Sequence, residues 1–354
     1  MIKDSVSLVA VGDIMLGDHH ICIGHGVGSS LKTQKPGSLF SNVSEVLKKG
    51  DITFGNLECL LSDVTINYKN LHSVSLRGAE KSITELTSAG FNVLSLANNH
   101  VLQHGEASLK RTKELLQQHG IQGIGVSETK EKSRQVFVLE INGLKIGFLA
   151  YCLMRDKTAY CSVDSPMEII SDVKVASAKV DILIVSMHWG NEFVRKPSPQ
   201  QVEIGHAIID AGAKLILGHH PHVLQGVEEY NDGVIAYSMG NFVFDMWQRK
   251  MRESMILLFT LSKKGIEGFE IIPTLIGKDF RPTLLTGVEK EKLKNQATAE
   301  FLQSVDYSTY LEEVKLCRRQ YRLGLAKHLT LYFYRYNPLY LYQMISGFFK
   351  KCRC

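Results

Sequence analysis

The sequence Leu215-Ile216-Leu217-Gly218-His219-His220-Pro221-His222 joins a short apolar run to three imidazoles within four residues. The apolar run is typical of a buried β-strand, and the glycine marks the point where the strand ends. Burying three imidazoles at a strand end is costly unless they are hydrogen-bonded or coordinate a metal ion. This stretch therefore predicts a polar site at the carboxyl edge of a β-sheet.

The same arrangement recurs at five other predicted strands, each followed at once by ligand-type side chains. Because the carboxyl ends of strands line one crevice in layered α/β folds, we expect these side chains to meet there. The strands and the residues after them are Val6–Val11 with Asp13, Ile52–Phe54 with Asn56 and Glu58, Val93–Leu96 with Asn98, Asn99 and His100, Ile182–Met187 with His188 and Glu192, and Val234–Tyr237 with Asn241.

The remaining pattern of the chain predicts a layered α/β domain with a mixed sheet. Asn142-Gly143 and Asn231-Asp232-Gly233 are strong signals for β-hairpins, which a purely parallel sheet lacks. We expect this domain to span residues 1–278 and a helical extension to span residues 279–354. Further predicted elements are strands at Ile121–Val126 and Ser254–Leu261 and helices at Val43–Lys49, Lys81–Ser88, Ala107–His119 and Gln200–Asp210.

Composition excludes several classes of protein. The chain has 354 residues, of which 44% are hydrophobic and 22% charged, so it is neither fibrous nor largely disordered. It contains no apolar run long enough for a transmembrane helix. Met1-Ile2-Lys3-Asp4-Ser5 leads directly into a strand without the pattern of a secretory signal. With seven cysteines and no C-x-x-C pair, we expect a cytoplasmic protein with reduced thiols.

The positive charge is concentrated in the carboxyl-terminal tail. Residues 310–354 contain nine Lys or Arg residues and two Glu, which gives this segment a net charge of +7. Because the whole chain has a net charge of +5, residues 1–309 have a net charge of −2. The tail is also rich in aromatic residues. It is consistent with a peripheral contact to an anionic membrane surface through residues 310–354, or with a helix pair packed across the first domain. Nucleic-acid binding is not expected, since no recognised nucleic-acid-binding fold accompanies the charge.

The predicted cluster has the chemistry of a divalent metal site. Imidazole, carboxylate and amide ligands without a thiolate suit one or two ions of Mn, Fe or Zn. Two such ions, held about 3.5–4 Å apart, polarise a phosphoryl oxygen and lower the pKa of a bridging water. A histidine outside the metal coordination can then protonate the leaving group.

Each residue taken alone also has a purely structural interpretation. Asp13 after a glycine is consistent with a helix or turn cap, and Glu58 with a hydrogen-bonded loop carboxylate. A single histidine such as His100 or His188 is more often structural than a ligand. We expect structural roles for four further histidines, namely His19, His20, His25 and His104.

Six motifs in order resemble those of the CapA family of bacterial capsule and poly-γ-glutamate synthesis proteins, within the calcineurin-like metallophosphoesterase superfamily. The resemblance covers about residues 6–277 and implies a four-layer α-β-β-α sandwich with a metal site at one sheet edge. The motifs are Gly12-Asp13-Ile14-Met15-Leu16-Gly17, Gly55-Asn56-Leu57-Glu58, Ala97-Asn98-Asn99-His100, His188-Trp189-Gly190-Asn191-Glu192, Gly218-His219-His220-Pro221-His222-Val223-Leu224-Gln225 and Ser238-Met239-Gly240-Asn241-Phe242-Val243-Phe244-Asp245.

The resemblance also implies roles for individual residues. It implies three catalytic residues: His100 resembles the general acid, Asn99 would orient the reacting groups beside it, and Arg77 stands where an arginine could meet an anionic substrate. Glu58 occupies the position of a bridging Asp, and the register of His219 is ambiguous. The implied metal ligands are Asp13, Glu58, Asn99, His188, His220 and His222.

The sequence also departs from the superfamily pattern. Met15 stands where Asp-x-His would place a histidine, and Gln103 replaces the usual acid after the Asn-Asn-His motif, with Glu106 nearby. Two functions therefore stay open. The first is a metal-dependent phosphoesterase-like hydrolase in capsule or cell-envelope polymer biosynthesis. The second is a non-hydrolytic component of a capsule polymer synthesis assembly that binds a polyanion. Either would act with an anionic polymer or phosphoester and with capsule synthesis proteins.

Overall fold

The computed structural model describes residues 5–154, 163 and 165–351, with side chains to residue 346. Residues 1–4, on which the expectation about secretion partly rests, lie outside this range, as do residues 352–354 of the tail. The strands are β1 Val6–Ile14, β2 Ile52–Leu57, β3 Leu60–Leu61, β4 Arg77–Gly78, β5 Val93–Ser95, β6 Gln122–Ile124, β7 Phe137–Ile141, β8 Leu144–Cys152, β9 Ile182–His188, β10 Leu215–His219, β11 Val227–Tyr230, β12 Gly233–Ala236, β13 Asn241–Val243, β14 Glu253–Ser262, β15 Gly265–Ile276 and β16 Pro282–Leu284.

The α-helices alternate with these strands and then continue beyond them. They are α1 Val27–Leu31, α2 Ser44–Leu47, α3 Leu71–Val74, α4 Ile83–Ala89, α5 Gly105–Gln118, α6 Lys130–Ser133, α7 Pro166–Ser177, α8 Pro199–Asp210, α9 Arg249–Arg252, α10 Gly287–Asn295, α11 Tyr307–Tyr332 and α12 Pro338–Lys351.

Two mixed sheets form the centre of the described structure. The first has the order β16-β15-β14-β1-β2-β5-β6, with β13 beside the end of β1. The second has the order β11-β12-β10-β9-β8-β7. The hairpins predicted at Asn142-Gly143 and Asn231-Asp232-Gly233 are confirmed as antiparallel pairs at the edges of the second sheet. Asn142 and Asn231 adopt positive φ, as tight hairpin turns require.

The alternation of side chains along the strands builds the four layers. On β9, Ile182 and Ile184 join the core that contains the first sheet. Leu183 and Val185 point the opposite way and pack in a second core with residues of α7 and α8. Since successive strand residues face opposite sides, each central strand of the second sheet separates two cores. The predicted α-β-β-α sandwich is confirmed.

Several strands run further than their apolar residues predict. β1 continues to Ile14, β9 to His188 and β10 to His219. The backbone ladder carries the polar ends, because Asp13 lies opposite Asn56 and His219 lies opposite His188. Strand pairing therefore fixes the positions of the polar side chains at the sheet edges.

Several elements were not predicted from the sequence, among them helix α7 and strand β15. Helix α7 begins after Ser165, whose side chain accepts a hydrogen bond from the Met167 backbone N–H, with Pro166 in the first turn. A Ser followed by a Pro is a typical start of a helix, so this helix could have been predicted from the sequence. Strand β15 has no strong apolar alternation, and its long antiparallel pairing with β14 defines it.

The carboxyl-terminal helices pack against the sandwich. Tyr310, Val314 and Cys317 of α11 are buried in the main core. On α12, the Tyr340 hydroxyl donates to the Tyr68 carbonyl oxygen at 2.5 Å. None of the helices in the described residues combines the length and apolarity that a membrane span requires. Strand β16 extends the first sheet past residue 278, and the division between residues 278 and 279 stays a prediction.

At Gly12 the backbone of strand β1 lies very close to the backbone of residues 239 and 240. This close packing at the edge of the sheet can be tested by substitution. A Cβ atom at Gly12 would overlap the carbonyl oxygens of Met239 and Gly240, so strands β1 and β13 would have to separate. We expect Gly12→Ala to lower the free energy of unfolding by about 1–3 kcal/mol or more in urea denaturation. Gly268→Ala, which has open space around its Cβ position, serves as the control. Equal effects of the two substitutions would contradict this packing.

Candidate metal centre

The carboxyl edges of the two sheets bring acidic, amide and imidazole side chains into one cluster. The first sheet supplies residues from the ends of β1, β2 and β5, and the second supplies residues from the ends of β9 and β10. The cluster contains Asp13, Glu58, Asn99, His100, His188, His219, His220 and His222.

The turn after β10 is held in an uncommon backbone conformation. His220 and His222 have φ angles of 96° and 56°, in a region that non-glycine residues seldom occupy. Pro221 lies between them, and its carbonyl oxygen accepts a hydrogen bond from Phe193 N–H at 2.7 Å. Backbone strain of this kind concentrates at functional sites, where it fixes the direction of side chains.

Glu58 lies at the centre of the cluster. Its side chain is fully buried, and neither carboxylate oxygen has a hydrogen-bond partner among the described residues. Its Oε1 lies 3.7 Å from His100 Nε2, 3.8 Å from His188 Nε2 and 3.6 Å from His222 Nε2. These distances exceed hydrogen-bond length. They are close to the separation of about 3.4 Å between two ligands of a tetrahedral ion with bonds of about 2.1 Å.

The donor atoms form two groups that share this carboxylate. Glu58, His188 and His220 make one group, and Asp13, Glu58 and His222 make the other. Within each group the donor atoms lie within 4.8 Å of one another. A buried carboxylate without partners is expensive unless a cation compensates it, so these residues fit one or two divalent ions, with Glu58 between them.

Burial controls the charges in the cluster. It raises the pKa of Glu58 well above the ordinary value, and the negative charges of Asp13 and Glu192 raise it further. Burial and the neighbouring imidazoles lower the pKa of His188 well below the ordinary value, and burial lowers that of His220 to about 3. Both rings are therefore neutral, which is the form that coordinates metal ions.

Asp13 keeps its charge through hydrogen bonds. Burial acts to raise its pKa, but the hydrogen bond with His219 and the charges of His219 and His222 outweigh that effect and lower it. Asp13 Oδ1 accepts a hydrogen bond from Asn56 Nδ2 at 2.9 Å and lies 3.1 Å from His219 Nδ1. His219, whose register the sequence left ambiguous, thus contacts Asp13 and falls outside both three-residue groups.

Asn241 orients His222 from behind. The Asn241 amide nitrogen donates to the Met251 carbonyl oxygen at 2.9 Å, so its Oδ1 is the acceptor that faces His222 Nδ1 at 2.9 Å. His222 Nδ1 therefore carries the hydrogen, and its Nε2 lone pair faces Glu58. Asn241 and Asn56 were expected near the site from their strand-end motifs, but their orienting roles were not predicted.

Asn99 and His100 occupy the more open side of the cluster. Asn99 Oδ1 lies 2.9 Å from His188 Nε2. His100 Nδ1 lies 2.6 Å from Gln103 Oε1, and Gln103 Nε2 donates to the Ser75 carbonyl oxygen at 3.1 Å. This second bond fixes the Gln103 amide, so His100 Nδ1 is the donor and its Nε2 faces Glu58.

Arg77 makes a different set of contacts. Its guanidinium donates to the carbonyl oxygens of Ser62 and Val64 at 3.4 and 2.7 Å, and to Ser108 Oγ at 3.4 Å. These bonds hold the segment after β3 against helix α5. The structure therefore gives Arg77 a clear structural role, and its contact with an anionic substrate stays a prediction.

Comparison with known proteins gives a consistent result. Residues 7–246 match the sequence family described as bacterial capsule synthesis protein PGA_cap. The chain is 30% identical to the capsule biosynthesis protein CapA of Bacillus anthracis, over 84% of this chain and 74% of that protein. It is 31% identical to the PGA biosynthesis protein CapA of Bacillus subtilis, over 88% and 82% of the two chains.

A solved structure supports the fold independently. A novel phosphatase from Mycoplasma pneumoniae superposes with a TM-score of 0.51 at 13% sequence identity, covering 78% of this chain and 95% of that one. At this identity the similarity concerns the fold alone. It agrees with the metallophosphoesterase-type sandwich expected from the strand-end motifs.

Removing the central charge tests the metal centre. We expect the purified protein to retain one or two equivalents of Mn²⁺ and Glu58→Gln to retain almost none, because both donor groups use this carboxylate. The measurement is elemental analysis per chain after gel filtration. Glu85→Gln is the matched control, since Glu85 is a buried carboxylate that accepts hydrogen bonds from the Gly37 and Leu39 backbone N–H groups. Undiminished Mn²⁺ in Glu58→Gln would exclude this site.

Proposed function

The chain belongs to the PGA_cap family of bacterial capsule synthesis proteins, and from this premise we propose that it is a metal-dependent hydrolase of phosphoester type. It would act in the synthesis of capsule or another cell-envelope polymer. The observation that carries the proposal is the buried, unpartnered carboxylate of Glu58 among neutral imidazoles. A catalytic divalent ion is the ordinary reason for such an arrangement at the strand ends of this fold.

Two donor groups would supply the ligands of the ion or ions. One ion would be held by Glu58, His188 and His220, and the other by Asp13, Glu58 and His222. Asn99 Oδ1, which lies 2.9 Å from His188 Nε2, would be a further ligand. Carboxylate and imidazole donors suit Mn, Fe or Zn. Such an ion supplies Lewis acidity toward a phosphoryl oxygen and lowers the pKa of a water.

His100 is the proposed proton donor. It is the more exposed imidazole of the cluster, with 20% of its side chain accessible. Gln103 holds its Nδ1 hydrogen, which leaves Nε2 directed to the site. A protonated Nε2 would donate to the leaving oxygen of a phosphoester, as a general acid does. Gln103 acts through His100 and is a positioning residue.

Helix α11 carries positive charge next to this cluster. Lys315, Arg318, Arg319 and Arg322 line one surface groove together with Leu323. Arg318 donates to Asn191 Oδ1 at 3.3 Å, and Asn191 lies in the segment that follows His188. A polyanion bound along the groove would therefore reach the segment beside the cluster. This placement supports an anionic polymer as substrate or ligand.

The basic groove also favours a second candidate function. A chain that binds poly-γ-glutamate or a similar polyanion without cleaving it would need the groove and could keep the metal centre for structure. Gln103 fits this alternative as well, since a neutral amide raises the proton affinity of His100 less than a carboxylate would. Turnover separates the two candidates.

The surface of the carboxyl-terminal helices also bears on partners. Phe333, Tyr334 and Tyr342 are exposed, whereas Tyr336 and Tyr340 are buried against the sandwich. The exposed aromatic residues support the proposed contact with an anionic membrane surface through this segment. Capsule synthesis proteins stay the proposed protein partners.

The general-acid proposal is tested by turnover of a chromogenic phosphodiester with Mn²⁺. We expect His100→Ala to lower kcat by about 10²- to 10⁴-fold while Mn²⁺ content is unchanged. Gln103→Ala should lower kcat by about tenfold, and Gln103→Glu should restore it, since the acceptor for His100 Nδ1 returns. Full activity of His100→Ala would rule out the assigned role. A wild-type protein with its full Mn²⁺ content and no turnover would favour the binding function.

The polymer path is tested by affinity for poly-γ-glutamate at low ionic strength. We expect Arg319→Ser combined with Arg322→Ser to weaken binding about three- to tenfold, because each exposed ionic contact contributes about 0.2–1 kcal/mol. The difference should shrink as salt is added. Lys263→Ser combined with Lys264→Ser removes two exposed charges from the β14–β15 turn and should leave affinity unchanged. An equal loss of affinity in both double variants would show that only the net charge of the protein matters, and would contradict binding along α11.

A further inference from the structure

A second group of metal-ligating side chains lies outside the candidate metal centre. Cys22 and His25 follow strand β1, and His328 lies on helix α11 near the other end of the chain. The Cys22 sulfur and one ring nitrogen of each histidine lie within 4.8 Å of one another. We infer that these three residues form a separate zinc site that joins the loop after β1 to helix α11. This inference does not depend on the proposed function.

Three ring nitrogens of the group are buried without a hydrogen-bond partner among the described residues. They are Nδ1 and Nε2 of His25 and Nε2 of His328. A buried ring nitrogen without a partner costs free energy. Coordination of one ion would satisfy a nitrogen on each ring at once.

Apolar side chains enclose the group. Ile21 and Tyr336 are buried with Cys22 in one hydrophobic cluster, against which Leu325 and Leu329 pack. The Trp247 ring stacks on His328 with centroids 5.0 Å apart, and the Tyr336 ring meets His25 edge-on at 5.5 Å. Such walls fix the orientation of the rings and restrict solvent access, which strengthens coordination.

The charged groups around the loop nearly balance one another. Burial raises the pKa of the Cys22 thiol well above its ordinary value, and the carboxylates of Asp245 and Asp18 raise it further. Without a cation the thiol donates to the Asp245 carbonyl oxygen at 3.3 Å. Burial raises the pKa of Asp245 to about 8, so this carboxyl group is largely neutral at pH 7. The Arg335 guanidinium lowers the pKa of His25 and His328 in addition to their burial. The zinc site is therefore inferred from the geometry of the donor atoms and not from the surrounding charge.

The donor set selects the type of ion. One thiolate and two imidazoles are typical zinc ligands, with the thiol proton released to solvent on binding. The candidate metal centre offers carboxylates and imidazoles in its two donor groups, without a thiolate. Three protein ligands leave one position of a tetrahedral Zn²⁺ open.

The site would hold α11 in place over the candidate metal centre. On the same helix, the Tyr321 ring stacks on Phe193 with centroids 4.2 Å apart, and Phe193 lies next to His222 at 6.4 Å. Joining His328 to Cys22 therefore restrains a helix that packs on Phe193, next to the cluster. From the sequence alone His25 was expected to have a structural role, and no local pattern links it to His328, which is far away along the chain.

Cobalt substitution tests the zinc site in the full-length protein. Co²⁺ bound to a thiolate gives a near-ultraviolet charge-transfer band that carboxylate and imidazole ligands do not produce. We expect this band in the wild-type protein, its loss in Cys22→Ser and in His328→Asn, and displacement by Zn²⁺. Cys152→Ser is the control, because Cys152 is a buried thiol opposite His188 on strand β9. The band should persist in that variant.

A second experiment uses only the wild-type protein, so its result does not depend on whether the variants fold. In the wild-type protein, Zn²⁺ should slow alkylation of Cys22 at least tenfold, as followed by peptide mass mapping, with little effect on Cys317. Absence of the Co²⁺ band, its survival in Cys22→Ser, its loss in Cys152→Ser, or Zn²⁺-independent alkylation of Cys22 would each overturn the assignment.

Discussion

Burial of the Glu58 carboxylate is the constraint on which the arrangement of the strand ends depends. The side chain is fully buried, no described group donates a hydrogen bond to it, and three imidazole nitrogens stand 3.6–3.8 Å away. A lone carboxylate in that position costs several kcal/mol unless it is protonated or compensated by a cation. Because its neighbours come from both sheets, a cation at this point would also join the two halves of the sandwich.

The sequence could predict a layered α/β domain because the relevant signals are local, and the four-layer sandwich followed from the family resemblance. Short apolar runs mark the central strands, and each strand is followed within a few residues by the polar group it presents. Parallel pairing of β9 with β10 then places His188 opposite His219 without any further information. The six motifs that resemble those of the CapA family lie at these same strand ends. The fold and the approximate location of the site could therefore both be predicted from the sequence.

The details that were not predicted depend on contacts that no local sequence pattern specifies. Strand β15 is defined by its partner β14 rather than by its own alternation. The orienting roles of Asn241 and Gln103 follow from which carbonyl oxygen each amide nitrogen reaches, which no sequence pattern specifies. The hydrogen bonds of Arg77 to the carbonyl oxygens of Ser62 and Val64 were likewise not predicted, and its contact with substrate stays a prediction.

The carboxyl-terminal helices belong to the architecture of the site rather than to a separate appendage. Asn191, just after His188, accepts a hydrogen bond from Arg318 and donates one to the Tyr310 hydroxyl at 3.1 Å, so α11 touches the segment beside the cluster through two residues. The aromatic stack of Tyr321 on Phe193 adds a third contact. A ligand bound along the basic face of α11 would therefore also affect the position of the segment that follows His188. A contact that fixes α11 would fix that segment as well.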